Sequence, residues 1–293
     1  MSKDGESEVI LLYKEHGDFT SPPGDRGLSM NKQDRLSRIL ELAIERSSLE
    51  VEEVALLLDV SPATVRRDFD ALAKRQLLSR THGGAVASGG SIALPLNYKV
   101  AKGDAAKERI AIAAAELVSR HAIIGINGGT TTTAVARALV ARPEFAPGEQ
   151  SDSQSALTVV TNAVNIAAEL TVRHQIKIVV TGGVARPQSY ELTGPFAEEV
   201  LKEVNIDIAF IGVDAIDVLT GASADHEDEA RVNRQVVARA RKLVVVTDSS
   251  KFSKRAFATI SPISEIDTLI TDDGVSPATV KELEALGVEV IVV

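Results

Sequence analysis

The stretch VEEVALLLDVSPATVRRDFDALAKRQLLSRTHGGA, residues 51–85, decides the fold of the N-terminal third of the chain. Apolar residues recur at three- and four-residue spacing in its first and middle parts, which predicts two helices separated by a tight break. Ser61 is suited to cap the second helix and Pro62 to open it, because the first helical position needs no N–H donor. After this helix, a short apolar strand leads into a turn at Gly83 and Gly84. We therefore predict a helix-turn-helix followed by a β hairpin, or wing.

One further helix precedes this stretch. Leu36, Ile39, Leu40 and Ala43 recur at the spacing of a single apolar helical face. Three helices and a wing then fill residues 31–87, which we predict to form one mostly helical domain with a small β wing.

The outward face of the third helix carries hydroxyl side chains and arginines. Val65, Phe69 and Leu72 form the inward stripe, so Arg67 and Lys74 lie on the opposite side of the helix. In a helix-turn-helix the second helix enters the major groove of DNA, where arginine can contact guanine or clamp phosphate. An isolated arginine pair can also be the surface charge of a protein-interaction helix, but the order of helices, cap and wing favours DNA.

Residues 51–85 resemble the winged helix of DeoR-type bacterial transcription regulators, whose hallmark is VS-x-x-T-[IV]-RRD-[LF] followed by R-x-HGGA. Both motifs are intact here, and so is the spacing between them. The resemblance implies that the third helix and the wing bind double-stranded operator DNA. The residues that it places against DNA are Ser61, Thr64, Arg66 and Arg67 on the helix, with Arg80 and His82 supporting them from the wing.

Charge is distributed unevenly along the 293 residues. The formal net charge of −9 at first argues against a nucleic-acid partner. Residues 1–30 carry −3, residues 31–100 carry +1, and residues 101–293 carry −7. Within residues 61–82, however, five basic residues stand against two acidic ones, a local charge of +3. The acidic total therefore hides a basic patch on the predicted DNA-binding helix and wing.

The composition excludes several classes of protein. The chain contains no cysteine, which rules out disulfide frameworks, thiolate zinc sites and cysteine nucleophiles. Its five histidines are not clustered, and we predict neither a metal site nor a cofactor. No apolar run approaches the roughly 18 residues of a membrane span, and the polar, acidic N-terminus does not resemble a secretory signal. We expect a cytoplasmic protein, without a membrane partner, of about two domains.

Two segments lack the periodicity of folded elements. Residues 1–30 are acidic and contain the run SPPG, which predicts a flexible tail. Residues 88–103 open with SGGS, which predicts a linker. The second domain should then span residues 104–293.

Apolar strands alternate with helical patterns throughout residues 104–293. The strands are rich in Val and Ile on both faces, which is typical of a parallel sheet covered by helices. We predict an open α/β sheet, whose ligands usually bind outside the carboxyl ends of the strands. The candidate strands are 122–127, 157–161, 176–181, 206–213, 243–247, 268–271 and 288–292.

Small and polar residues collect directly after the first five of these strands. They are residues 127–132 after the first strand, Asn162 after the second, Gly182 and Gly183 after the third, Asp214 after the fourth, and Asp248 and Lys251 after the fifth. Backbone N–H groups at a helix N-terminus, hydroxyls and lysine suit a phosphate, whereas Asn and Asp suit sugar hydroxyls. Each feature alone is usually only a turn or a helix cap. Together they predict a site for a phosphorylated polyol.

The same order of motifs resembles the sensor domain of DeoR-type regulators. The matching pieces are INGGTTTTAVARAL, TVVTNAVNIAAEL, IVVTGG, DIAFIGVDAID, EARVNRQVV and DSSKF. The resemblance implies a fold shared with ribose-5-phosphate isomerase and coenzyme A transferases, a sugar-phosphate effector, and a phosphate loop at residues 129–132. The effector-binding residues that we predict are Gly129, Thr130, Thr131, Thr132, Asn162, Gly182, Gly183, Asp214, Asp248 and Lys251. Two positions depart from the family pattern: Asn127 stands where the family usually has Asp, and Asn233 where it often has Lys.

These features predict a transcriptional regulator of carbohydrate metabolism, and a repressor rather than an activator. Effector binding would favour a DNA-incompetent state and release the operator. Because helix-turn-helix modules read paired half-sites, we expect a homo-oligomer, either a dimer or a tetramer. The alternative is a sugar-phosphate isomerase-like enzyme with an accessory DNA- or protein-binding module. Isomerases of this fold carry a DGAD-type strand end, and Ile211 replaces its first acid here, so we predict no enzymatic activity.

Overall fold

The structure is a computed structural model that describes residues 30–46, 48–75, 77–87, 105–146 and 155–293. The predicted linker at residues 88–103 lies outside this part of the chain, as does the predicted tail up to residue 29. Among the described residues, every helix is too short or too polar to cross a membrane.

Within the described residues, the N-terminal region contains three helices and a three-stranded antiparallel sheet. Its elements in chain order are α1 (Lys32–Arg46), β1 (Ser48–Glu50), α2 (Val51–Leu57), α3 (Pro62–Lys74), β2 (Leu78–Arg80) and β3 (Gly84–Ala87). The strand order is β1-β3-β2, so a third strand joins the two strands of the wing. The winged helix-turn-helix predicted from the sequence is confirmed, whereas β1 was not predicted.

Local chemistry explains where α3 begins and how the wing packs. The Ser61 Oγ accepts a hydrogen bond from the Thr64 N–H at 3.2 Å, and Pro62 is the first helical residue, as predicted. At the wing, a Cβ on Gly84 would lie 2.0 Å from the Leu49 carbonyl oxygen, so β1 and β3 can approach this closely only at a glycine. The core of the region contains buried side chains from all three helices and the wing, among them Leu36, Ile39, Val54, Phe69 and Leu78.

The C-terminal region alternates strands and helices. Its strands are β4 (Ile123–Ile126), β5 (Leu157–Thr161), β6 (Ile176–Val180), β7 (Val184–Ala185), β8 (Leu192–Thr193), β9 (Ile206–Ile211), β10 (Ala215–Asp217), β11 (Gly221–Ala224), β12 (Ala240–Val246), β13 (Ala258–Ser261), β14 (Thr268–Thr271) and β15 (Glu289–Val292). Its helices are α4 (Ala105–Glu116), α5 (Thr130–Ala141), α6 (Val164–Leu170), α7 (Pro195–Lys202), α8 (Glu227–Ala238) and α9 (Pro277–Ala285).

Seven of these strands form one parallel sheet in the order β15-β14-β12-β9-β4-β5-β6. Each of the seven overlaps a strand predicted from the sequence, so the open α/β sheet is confirmed. Both faces of the sheet are buried: Leu243 and Val245 of β12 pack in one apolar core, and Val244 and Val246 pack in the other. This two-sided burial explains why the strands are continuous apolar runs without alternation.

The order of the strands reverses at β4. From β4 the chain moves outward through β5 to β6, and it then returns to the other side of β4 and continues through β9, β12, β14 and β15. The connections after β4 and β9 therefore leave the sheet in opposite directions, which opens a crevice at their carboxyl ends. Two small antiparallel sheets, β7-β8 and β10-β11-β13, were not predicted from the sequence.

Candidate functional site

The exposed face of α3 presents the arginines predicted to contact DNA. Arg67 is exposed and makes no hydrogen bond or ion pair with another described residue. Arg66 is also exposed, but its Nη2 lies 3.1 Å from Oε1 of Glu52 on α2. The Ser61 and Thr64 hydroxyls lie 2.9 Å apart and hydrogen-bond to each other at the start of the helix. A cationic helix face of this kind can clamp phosphates or read base edges.

Arg80, on the wing, is held by three contacts. Its Nε lies 3.2 Å from Oδ1 of Asp70, its Nη1 donates to the Gly84 carbonyl at 3.2 Å, and its guanidinium carbon lies 5.4 Å from the centre of the Phe69 ring. His82, in the turn of the wing, is exposed. Arg80 therefore braces the wing against α3, a role that was not predicted from the sequence.

The acidic residue of the RRD motif joins two helices. Asp68 is buried, its Oδ2 accepts a hydrogen bond from Arg35 Nε at 2.6 Å, and its Oδ1 accepts one from Nη2 of the same arginine at 3.4 Å. Because Arg35 lies on α1, this pair ties α3 to α1 across the core. Arg66 and Arg67 directly precede Asp68 on α3. By fixing the rotation of this helix, the ion pair between Arg35 and Asp68 also sets the direction in which the two arginines face.

A cavity of about 160 Å³ lies at the carboxyl ends of β4, β9 and β12, where the strand order reverses. The loops after these three strands form one part of its lining. The rest comes from the turn between β7 and β8, from the end of β11, and from α8. A pocket with walls on several sides therefore lies at the carboxyl edge of the sheet, the edge at which the sequence predicts a ligand.

One wall of the cavity is the start of α5. Gly129 precedes this helix with a φ of +138°, which favours glycine, and its carbonyl accepts the first intrahelical hydrogen bond from the Thr133 N–H at 3.1 Å. The N–H groups of the first turn have no partner within the helix. The Thr130 and Thr131 hydroxyls and the Lys251 ammonium line the cavity without a hydrogen-bonding partner among the described residues. Backbone N–H groups, hydroxyls and an ammonium are the donors that hold a phosphate.

A second wall is built around Glu191, which is buried. Its Oε1 accepts a hydrogen bond from the Gly128 N–H at 2.7 Å, and its Oε2 has no partner among the described residues. A Cβ on residue 128 would lie 2.6 Å from Glu191 Cγ, so the glycine permits this approach. Burial, together with the charges of Glu229 and Asp214, raises the pKa of Glu191 to about 8. At neutral pH this carboxyl group is therefore mostly protonated, and it can donate as well as accept.

The side of the cavity formed by α8 offers acceptor oxygens. The Glu229 Oε1 accepts a hydrogen bond from Ser189 Oγ at 2.6 Å and lies 2.8 Å from Arg186 Nε, which balances its charge. Asn233, one turn further along α8, is buried, and its Oδ1 has no partner in the described part of the chain. Asp214 lines the cavity from the loop after β9 and accepts one backbone N–H at 2.9 Å. Such oxygens are suited to the hydroxyls of a polyol.

Both regions of the chain match family models. Residues 35–89 match the DeoR-like helix-turn-helix domain, and residues 103–273 match the DeoR C terminal sensor domain. The HTH-type transcriptional regulator GlpR of Haloferax volcanii is 34% identical over 260 residues, which cover 88% of this chain and 96% of the relative. The glycerol-3-phosphate regulon repressor of Escherichia coli K12 is 30% identical over 257 residues, with the same two coverages of 88% and 96%. The chain belongs to the DeoR family of transcriptional regulators.

The resemblance drawn from the sequence motifs is thus confirmed for both regions. In this DeoR-family regulator the winged helix is the DNA-binding domain and the parallel α/β region is the sensor domain. Among solved structures, ribose 5-phosphate isomerase A from Neisseria gonorrhoeae aligns with 51% of this chain and 53% of its own, at 20% identity and a TM-score of 0.35. Within the described residues, no group of three or more His, Asp or Glu side chains is arranged to hold a metal ion.

Six of the ten predicted effector residues line the cavity of the regulator: Gly129, Thr130, Thr131, Asp214, Asp248 and Lys251. Asp248 also caps the short helix that follows it, because its Oδ1 accepts the Ser250 N–H at 3.1 Å, and it lies 3.8 Å from Lys107 Nζ. The structure does not bring the other four, Thr132, Asn162, Gly182 and Gly183, to the cavity lining. The Thr132 hydroxyl is buried against the Gly129 carbonyl, and the remaining three follow β5 and β6, one and two strands beyond β4.

Asn127, where the family usually has Asp, joins the ends of β4 and β9. Its Oδ1 accepts the Gly212 N–H at 2.8 Å, and its Nδ2 donates to the Gly212 carbonyl at 3.0 Å. An amide can make both bonds, whereas an ionised carboxylate could accept only the first. Asn127 therefore ties together the ends of the two strands, β4 and β9, that flank the crevice.

Several cavity residues of the regulator were not predicted from the sequence, among them Gln188, Ser189, Glu191 and Glu229. Asn233 was identified there only as a departure from the family pattern. Glu229 and Asn233 did leave a signal, because they stand four residues apart on a helix whose Ala230, Val232 and Val236 face the core. Glu191 left none, since it lies in an isolated β-bridge with Ala163 just before β8 and its side chain bonds to a glycine 63 residues away in the sequence.

Proposed function

We propose that this DeoR-family regulator represses a carbohydrate-metabolism operon and is released from its operator by a phosphorylated sugar bound in the cavity. Lys251 carries the proposal, because it is the one basic side chain in the lining within the described residues and has no partner there. The first turn of α5 lines the same cavity, and a phosphate is the ligand group that these donors suit best. The name of the Escherichia coli relative, a glycerol-3-phosphate regulon repressor, supports both repression and a phosphorylated polyol.

In this proposal the two ends of the ligand meet different chemistry. The backbone N–H groups of residues 129–131, the hydroxyls of Thr130 and Thr131, and the Lys251 ammonium hold the phosphate. Asp214 and Asp248 accept hydrogen bonds from sugar hydroxyls. The ligand releases DNA only to the extent that it binds the DNA-incompetent state more tightly than the DNA-competent one.

The proposed DNA complex places α3 in the major groove and the wing beside the backbone. The residues in contact would be Ser61, Thr64, Arg66, Arg67, Arg80 and His82. The unpaired Arg67 on the exposed face of α3 supports this arrangement. We place the DNA-binding domain at residues 31–87 and the sensor at 104–293, with a tail at 1–30 and a linker at 88–103. We further propose a cytoplasmic dimer or tetramer, since paired half-sites call for paired modules.

We also propose that the chain is not an enzyme. An isomerase needs a carboxylate base poised beside the substrate carbons and a cation that stabilises the enediolate. At the end of β9 the apolar Ile211 stands where isomerases of this fold carry the first acid, and Asp214 already accepts a backbone N–H. Turnover of a sugar phosphate by the purified chain would overturn this part of the proposal.

A thermal-shift panel tests the effector site. A ligand of the native state raises Tm, by an amount equivalent to about 2.7 kcal/mol at a hundred times its Kd. The panel contains glycerol 3-phosphate, ribose 5-phosphate, fructose 6-phosphate, glucose 6-phosphate and inorganic phosphate. Lys251→Ala should abolish the shift, and the matched control Lys254→Ala, an exposed lysine outside the cavity, should keep it. A full shift in Lys251→Ala would remove Lys251 from the phosphate site.

A gel-shift experiment tests the link to DNA. An operator is first selected from random duplexes with the wild-type protein, and the ligand found in the panel is then added. We expect release of the duplex at ligand concentrations near the Kd. A ligand that stabilises the protein but leaves the operator complex unchanged would contradict release by the effector.

A further inference from the structure

The Asn233 Oδ1 is a buried acceptor on the cavity wall for which the described residues supply no hydrogen-bond donor. The residue is only 2% exposed, it lines the cavity from α8, and its Oδ1 has no partner within the described residues. Buried polar atoms are hydrogen-bonded in the great majority of folded proteins, so a lone acceptor on a cavity wall indicates a missing donor. The Oε2 atom of Glu191, which lines the same cavity, is a second buried oxygen without a hydrogen-bond partner among the described residues.

The charges on this side of the cavity decide what kind of donor is missing. Glu229, one turn before Asn233, is already balanced by Arg186 at 2.8 Å and by a hydrogen bond from Ser189. The buried Glu191 carboxyl is mostly uncharged near neutral pH, as shown above. A phosphate would meet the carboxylates of Glu229 and Asp214 on this side as well as the Asn233 acceptor, which disfavours it. The donors suited to a phosphate, the start of α5 and Lys251, line other parts of the cavity, so the group that a sugar phosphate brings to Asn233 is one of its hydroxyls. A hydroxyl is neutral and can donate to Asn233 Oδ1.

We propose that Asn233 is a specificity-determining residue of the effector cavity and that its Oδ1 accepts a hydrogen bond from a hydroxyl of the sugar. This inference rests on the proposed function, because it assumes that a sugar phosphate occupies the cavity. It adds that the ligand class is a phosphorylated sugar or polyol with an unsubstituted hydroxyl at this point. Deoxy or O-alkylated analogues at that carbon would leave the Asn233 oxygen buried and unpaired, and such sites reject analogues that lack the donor.

The test compares full-length Asn233→Ala with the control Gln235→Ala, which changes a residue of the same helix that does not line the cavity. Alanine is smaller than asparagine and favours the helix, so the variant introduces no clash. Calorimetry measures Kd for the tightest sugar phosphate of the panel, for its single-deoxy analogues, and for inorganic phosphate.

We expect Asn233→Ala to raise Kd for the sugar phosphate about tenfold and to leave that for inorganic phosphate within about twofold. The wild type should bind one of the deoxy analogues about tenfold more weakly than the parent sugar phosphate. Asn233→Ala should bind that same analogue as tightly as the wild type does, because the contact is already missing. Asn233→Asp, which keeps an acceptor oxygen, should retain the preference for the parent over that analogue.

Two results overturn the inference, and they are distinguishable. If Asn233→Ala and Gln235→Ala bind the sugar phosphate equally well, the hydroxyl contact is absent although the proposed function stands. If the wild type binds neither the sugar phosphates nor inorganic phosphate, the proposed function fails and the inference fails with it.

Discussion

Removal of the Asp68 carboxylate should unfold the DNA-binding domain selectively. Asp68 is 2% exposed, and its two oxygens accept hydrogen bonds from Arg35 at 2.6 and 3.4 Å. In Asp68→Ala the arginine, whose side chain is only 13% exposed, keeps its charge but loses this carboxylate partner. Breaking a buried ion pair by removing one partner costs about 3–5 kcal/mol. At about 1.36 kcal/mol for each factor of ten, that energy corresponds to a roughly 10²- to 5 × 10³-fold larger population of the open state.

Hydrogen exchange of the full-length chain, followed by mass spectrometry, measures this population region by region. Peptides from α1 and α3 should lose protection by the factor given above, whereas peptides from β9 and β12 should not change. Asp70→Ala is the matched control, because Asp70 lies on the same helix and pairs with Arg80, but with a carboxylate side chain that is 58% exposed. An exposed pair of this kind contributes about 0–1 kcal/mol. If the two variants lost protection equally, the pair between α1 and α3 would not be holding the domain together.

Three further predictions concern the two sites. Glu52→Gln should tighten binding to a random-sequence duplex about two- to fivefold in a fluorescence titration, because it frees Arg66; unchanged affinity would contradict this. Gly128→Ala should abolish the thermal shift by sugar phosphates, since its Cβ would lie 2.6 Å from Glu191 Cγ; a normal shift would refute this. The raised pKa of Glu191, about 8 against an ordinary 4.5, means that the free energy of unfolding falls as pH rises between these values. Glu191→Gln should therefore lose less Tm than the wild type between about pH 6 and about pH 8.5, and an equal loss would exclude Glu191 as the cause.

The elements that could be predicted from the sequence are those with a local cause. The strand Ala240–Val246 buries apolar side chains on both faces, so its run of valines is visible without knowledge of its neighbours. The helix Pro62–Lys74 begins at a serine cap and a proline, two signals that act within four residues. The three-residue strand Ser48–Glu50 has no such signal, because it exists only through pairing with the wing.

The candidate site was predicted only in part, for a reason that lies in the strand order. A polar residue after a parallel strand is predicted to lie at the carboxyl edge of the sheet, and Asn162, Gly182 and Lys251 all satisfy that rule. How far along the edge each one lies depends on which strands are neighbours. Because β12 and β9 lie on one side of β4, Lys251 lines the crevice. Asn162 follows β5 on the other side of β4 and lies behind Glu191, since its carbonyl accepts the Leu192 N–H at 2.7 Å, and Gly182 follows β6, one strand further out.

The pairing of the DNA-facing arginines sets how the regulator can bind DNA. Of the three arginines proposed to contact DNA, Arg66 is paired with Glu52 and Arg80 with Asp70, and within the described residues only Arg67 lacks a carboxylate partner. Binding a phosphate through Arg66 or Arg80 must replace an existing ion pair, so each such contact adds less free energy than an unpaired arginine would. The local charge of +3 therefore overstates the attraction of one winged helix for DNA. An affinity adequate for repression then requires more than one copy on the same operator, because linked modules multiply weak affinities. The salt dependence should follow the same logic, with a slope of about −0.9 for each phosphate neutralised and few phosphates for each module.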